Sequence, residues 1–196
     1  MSDSKKADQK KAIVFLCDGT EEMEFTITVD VLRRAKVDVT VVGVNIAKEF
    51  ALCSRGVKIT PDEKFSESLS SGNYDAVVIP GGNGTASILG DHEGAKKLIL
   101  EFYESKKIVA FICAGTLVAE KAGIPHKHTV TSYPAFKSEL EKVYNYSEDR
   151  VVVDENVITS RGPGTTFLFA LTIVEKLLNV KTVNSLKNEM LTCSSL

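Results

Sequence analysis

Short, wholly apolar runs alternate along the chain with longer stretches of helical period. Ala12-Ile13-Val14-Phe15-Leu16-Cys17 is apolar throughout and closed by Asp18-Gly19-Thr20, as in a strand buried on both faces and followed by a turn. Glu21 to Lys36 predicts a helix, acidic in its first turn (Glu21, Glu22, Glu24) and basic in its last (Arg33, Arg34, Lys36). Val37 to Val44 predicts a second strand, and Leu52 to Ile59 a strand or hairpin arm before Pro61. Asp75 to Ile79 is another buried strand, stopped by Pro80-Gly81-Gly82-Asn83. His92 to Lys106 has helical period, and Ile108 to Ile112 is again fully apolar.

A short helix near Thr116 to Lys121, a strand near Thr129 to Thr131 and a helix headed by Pro134 are expected next. Val151 to Val153 and Val157 to Thr159 flank Asp154-Glu155-Asn156 as a hairpin. Thr165 to Leu178 predicts the last long amphipathic helix, with a short one over Thr182 to Leu191. Apolar strands alternating with helices predict an α/β fold with a mostly parallel sheet covered on both sides. With no linker or repeat in view, residues 11–191 are read as one domain between polar tails at 1–10 and 192–196.

The 196 residues carry a net charge of −2, which argues against a nucleic-acid footprint or a membrane-surface patch. No apolar run approaches the ~18 residues of a membrane span, and Met1 to Lys11 lacks the apolar core of a secretory signal. Cys17, Cys53, Cys113 and Cys193 are scattered, without C-x-x-C pairs or suitably placed histidines, so no metal or cofactor is expected. Reduced thiols are. Cys193-Ser194-Ser195-Leu196 formally fits a prenylation box, but serines fill its two middle positions, and a polar end is the preferred reading. His92, His126 and His128 read as exposed positions without a role.

In such a fold, chemistry belongs beyond the carboxyl ends of the strands. Three segments follow apolar strands directly: Asp18 to Glu24, Pro80 to Asn83, and Cys113 to Gly115. Cys113 ends a strand and opens a helix, a position that exposes a nucleophile and favours thiolate. Gly81-Gly82 can bring backbone N–H groups to an oxyanion, though a plain tight turn explains the pair equally well. Glu24 shares a helical stripe with Ile27, Thr28 and Val31, so its carboxyl heads an apolar face and its pKa is expected to rise; a plain dipole-complementing acid is the competing reading. A second stripe, Phe25, Val29 and Leu32, makes this helix apolar on more than one side, which suggests a subunit contact.

Four segments, in order, resemble the DJ-1 branch of the DJ-1/ThiJ/PfpI superfamily: Gly19-Thr20-Glu21-Glu22-Met23-Glu24, Val78-Ile79-Pro80-Gly81-Gly82-Asn83, Ala110-Phe111-Ile112-Cys113-Ala114-Gly115, and Ile158 to Thr165. The resemblance runs from about Lys11 to Leu178. It implies a flavodoxin-like three-layer sandwich, a homodimer built on the first helix, and residence in the cytoplasm and nucleus. It also implies Cys113 as reactive residue in contact with Glu24, oxyanion contacts at Gly81, Gly82 and Ala114, and a pocket with Arg34, Arg55, Asn83, Gly162 and Pro163. Many members carry histidine where this chain has Tyr133, so Tyr133 takes that place in the catalytic set as a hydrogen-bonding group rather than a base. Protease-like relatives have histidine at the position of Ala114, which counts against proteolysis.

Two functions follow from the resemblance. One is a glutathione-independent glyoxalase III-type lyase converting the 2-oxoaldehyde methylglyoxal to lactate through a Cys113 hemithioacetal, with protein deglycase activity beside it. The other is a redox sensor or chaperone in which Cys113 is oxidised to sulfinic acid without turnover. The same residues serve both.

Overall fold

The computed structural model describes residues 9–193. Its central sheet has seven strands: β1 (Lys11–Leu16), β2 (Asp38–Gly43), β5 (Glu63–Lys64), β6 (Ala76–Ile79), β7 (Ile108–Ile112), β10 (Val151–Asp154) and β11 (Val157–Ser160). They lie in the order β10-β11-β7-β6-β1-β2-β5, all parallel to their neighbours except β10, which returns antiparallel along β11. A two-residue hairpin, β3 (Ala51–Leu52) and β4 (Lys58–Ile59), and a small pair, β8 (Thr129–Val130) and β9 (Asn145–Tyr146), lie outside this sheet.

Strand alternation divides the core into two layers. Ala12, Val14 and Leu16 face one side, where α1 (Glu22–Arg34), α6 (Thr166–Leu177) and α7 (Val180–Glu189) bring Phe25, Leu32, Leu171 and Val183 against them. Ile13 and Phe15 face the other, against Leu98, Ile99 and Phe102 of α3 (Glu93–Glu104) and Val118 of α4 (Leu117–Lys121). This is the expected three-layer α/β sandwich. The chain leaves β1 for β2 on one side and later returns to β6 on the other. That reversal opens a crevice past the strand ends, between the loops after β1 and β6.

Several expectations are corrected. The second apolar stripe of α1 is covered within the chain, because Val29 and Leu32 are buried where α1 packs along α6. The sequence argument for a subunit contact therefore loses its premise, although Met23 on the same helix is 53% exposed. Helix α2 (Asn83–Asp91) fills a stretch for which the sequence predicted no element; Gly84 and Gly90 weaken its pattern, and its N-cap Gly82 supplies no side-chain bond. Two residues of the segment read as a tail, Gln9 and Lys10, fall within the described residues. Gln9 donates to the Lys36 carbonyl and Lys10 pairs with Asp75, while residues 1–8 lie outside the described residues. So do residues 194–196, and with them most of the terminal Cys-Ser-Ser-Leu box. His92 caps α3 by accepting from Ala95 N–H, and His128 is buried against Tyr103, so neither is an idle surface group.

Candidate active site

Cys113 follows β7 directly and takes a φ of +60°, a conformation that costs a side-chain-bearing residue energy. It turns the chain from extended Ile112 into a 3₁₀ turn, Cys113–Thr116, that leads into α4. The elbow rests on the backbone after β6: a Cβ on Gly115 would lie 2.6 Å from both the Ile79 and the Pro80 carbonyl oxygens. Only glycine fits there.

Glu24, in the first turn of α1, is fully buried. Its Oε2 accepts a hydrogen bond from the Gly81 N–H at 2.7 Å. A Cβ on Gly81 would lie 2.4 Å from that oxygen and 3.1 Å from Cys113 Sγ, so the absence of a side chain lets carboxyl, backbone and sulfur converge. The Glu24 carboxyl and the Cys113 thiol influence each other's ionisation, and the backbone N–H groups of Ala114 and Gly82 favour negative charge on the sulfur. The other carboxyl oxygen, Oε1, is buried without a hydrogen-bond partner.

Two acids in one dry place cannot both be ionised. Burial raises the Glu24 carboxyl to about 7, against the lowering effect of the Gly81 and Cys113 hydrogen bonds; the Glu21 charge adds to the rise. Burial first, and then the facing carboxylate, push the Cys113 thiol well above its ordinary range, and the Ala114 and Gly82 N–H groups offset only part of this. This differs from the expected low-pKa thiol, because the helix that would favour thiolate begins as a single 3₁₀ turn and the nearest charge is negative. The pair is best described as one unit that holds a single proton around neutrality. Thiolate exists when that proton sits on Glu24, and it is then held by the Gly82 and Ala114 N–H groups.

The pair lies at a cleft of about 810 Å³. Of the residues expected to line it, Arg55, Asn83, Gly82, Ala114, Tyr133 and Pro163 do so. Gly162 lies just behind: a Cβ there would be 3.5 Å from the Tyr133 ring and 4.0 Å from Glu24 Oε1. Gly81 is in the site, but its N–H is engaged by Glu24 and is not available to an oxyanion. Arg34 is not in the site. It points to solvent from the far end of α1, paired with Asp30 at 2.6 Å. Tyr133 is 46% exposed on the cleft wall, and among the described residues its hydroxyl bonds to nothing, so it takes no part in the hydrogen bonding around the sulfur.

Sequence reasoning missed Glu21, Ser54 and Phe136 as cleft residues. Glu21 carries the only legible signal. As the residue before α1 it caps the helix, its carboxylate accepting from Glu24 N–H at 2.8 Å, while its own N–H donates to the Gly81 carbonyl. Ser54 and Arg55 reach the site because the β3–β4 hairpin folds onto α1, where the buried Glu22 carboxylate accepts from Ser54 Oγ and Arg55 N–H.

Comparison with known proteins identifies relatives of the chain as a whole. Residues 10–176 match the model of the DJ-1/PfpI family. The chain is 44% identical over 180 residues to the Parkinson disease protein 7 homolog of Danio rerio, covering 91% of this chain and 95% of that one. It is 35% identical over 173 residues to the glutathione-independent glyoxalase DJ-1 of Schizosaccharomyces pombe, with coverages of 85% and 90%. The crystal structure of Drosophila melanogaster DJ-1beta superposes with a TM-score of 0.88 at 41% identity, over 94% of this chain and 99% of that one.

Proposed function

The chain belongs to the DJ-1/PfpI family, and from that premise we propose that it is a glutathione-independent glyoxalase acting on 2-oxoaldehydes. The observation that carries this reading is the Glu24–Cys113 pair: a nucleophile and a proton carrier of near-neutral pKa in contact at the base of an open cleft. With the proton on Glu24, the Cys113 thiolate attacks the aldehyde carbon; a C–S bond forms and the carbonyl oxygen takes up a proton to give a hemithioacetal. Glu24 then removes the proton from that carbon, and the enediol is reprotonated at the adjacent carbon, leaving a thioester. Water cleaves the thioester, releasing the 2-hydroxy acid and the thiol. One carbon is oxidised as its neighbour is reduced, so no external oxidant is needed. The Gly82 and Ala114 N–H groups are placed to steady the oxyanion of the addition step. Adducts of the same aldehydes on protein amines and thiols present the same carbon, which is the basis of a deglycase activity at this site.

The partnerless Glu24 Oε1 favours a second reading. A protonated carboxyl with a free oxygen suits an oxygen added to the sulfur, as in a sulfinate-forming sensor. Purified protein incubated with methylglyoxal, without glutathione, separates the two. The glyoxalase reading expects lactate from the wild type and none from Cys113→Ser. No lactate from wild-type protein with a reduced Cys113 would contradict it.

A further inference from the structure

The cleft above Cys113, about 810 Å³, is far larger than a three-carbon aldehyde requires, and its lining is chemically mixed. Its lining includes polar Glu21, Arg55 and Asn83 and apolar or aromatic Tyr133, Phe136 and Pro163. The Tyr133 and Phe136 rings are 6.3 Å apart between centroids and inclined at 57°, the spacing and tilt of rings that pack on each other. Tyr133 is held from its backbone. Its carbonyl accepts from the Phe136 N–H and from Ser132 Oγ, both at 3.0 Å, and Ser132 is tied in turn to the Tyr146 hydroxyl. A large ring left 46% exposed on a fixed turn, with an unbonded hydroxyl, is an unfilled apolar surface beside a reactive sulfur.

We propose that Tyr133 and Phe136 form a preformed aromatic wall that selects 2-oxoaldehydes carrying an aryl or other bulky apolar substituent over those carrying a methyl group. The inference rests on the glyoxalase reading and names the substrate class of that site. The 2-oxoaldehyde unit sits at Cys113 and Glu24, and the substituent lies along the two rings. Gly162 leaves the space between the Tyr133 ring and Glu24 open, since it puts no side chain within the 3.5 and 4.0 Å that separate its Cβ position from them. Packing a ring on such a wall is worth about tenfold or more in discrimination. Tyr133 thus becomes a specificity-determining residue that acts through its ring rather than its hydroxyl.

The test is kcat/KM for phenylglyoxal (to mandelate) and methylglyoxal (to lactate) in the wild type, Tyr133→Ala, Phe136→Ala and Tyr133→Phe. The aryl-to-methyl ratio should fall at least fivefold in Tyr133→Ala and in Phe136→Ala, through a higher KM for phenylglyoxal. It should stay within twofold of wild type in Tyr133→Phe, which keeps the ring. Comparing ratios between variants removes the intrinsic reactivity of the two aldehydes. A ratio unchanged in both alanine variants, or lost equally in Tyr133→Phe, overturns the proposal while methylglyoxal turnover leaves the glyoxalase reading standing. Turnover of neither aldehyde by wild-type protein overturns both.

Discussion

Two polar clusters, each with buried members, lie at opposite ends of β7, and they are made of similar parts. Past its carboxyl end Glu24 meets Cys113; near its start Tyr103, His128 and Asp154 meet one another. Tyr103 Oη lies 2.9 Å from His128 Nε2, and His128 Nδ1 lies 3.5 Å from Asp154 Oδ2. Listed by residue type, the second cluster looks more like catalytic machinery than the first. Both also contain a buried atom without a hydrogen-bond partner, Glu24 Oε1 in one and His128 Nδ1 in the other. An unsatisfied atom therefore does not separate chemistry from structure.

Access and strain separate them. Cys113 is partly exposed at a cleft and sits at φ +60°, whereas His128 is 1% exposed and Tyr103 7%. The His128 cluster is also tied into the framework: Asp154 accepts from Thr129 N–H, and Asn156 donates to the Tyr103 and Lys107 carbonyls. It fastens the β10–β11 turn to α3 and β8. Polar groups that close a fold and polar groups that do chemistry share a vocabulary, and differ in whether a substrate can reach them.

The comparison breaks most visibly at Glu24. Glu24→Asp withdraws the carboxyl by one methylene and Glu24→Gln cannot carry the proton, so either should lower lactate formation by about a hundredfold or more. The Gln variant should also change how stability varies with pH. Between about 4.5 and 7 the folded protein holds a proton on Glu24 that the unfolded chain releases. Unfolding free energy of the wild type should therefore fall as pH rises through that window, by an amount on the order of 3 kcal/mol. Urea melts at several pH values should show this slope flattened in Glu24→Gln. At the other cluster the effect is smaller and of another kind. His128→Ala should cost about 1–3 kcal/mol in urea melts by orphaning the Tyr103 hydroxyl, with turnover per folded molecule within about twofold of wild type. Loss of turnover with stability intact would place His128 in the chemistry and erase the distinction.

How much of this was legible in the sequence follows the same division. The strands buried on both faces announce themselves, because Ile13 to Leu16, Val77 to Ile79 and Val109 to Ile112 have no polar position to confuse the reading. Helix α2 was illegible because glycines and β-branched residues hide its period, and β5 and β9 because two residues carry no period at all. Cys113 and Glu24 could be picked out as residues beyond strand ends or at the head of an apolar stripe. Their mutual electrostatics could not. The sign of the Cys113 shift depends on burial and on a carboxylate brought from a distant helix, and neither is a property of the local sequence. Arg34 was assigned to the pocket by the resemblance alone, with no local signal behind it, and within the chain it sits at the far end of α1 from Glu24, beside α7.

One proton is shared between Glu24 and Cys113 in this mechanism, and the rate of Cys113 alkylation by limiting iodoacetamide as a function of pH measures it most directly. Burial raises the Cys17 thiol far above its ordinary range, and burial with the nearby Glu22 charge takes Cys53 to about 11, so Cys113 should label well ahead of both in a peptide map. Its rate should rise through an inflection near pH 7, as the first proton leaves the pair, and in Glu24→Gln that inflection should disappear. A wild-type profile that climbs only through the ordinary thiol range, superimposed on that of Glu24→Gln, would contradict the shared proton and the mechanism built on it.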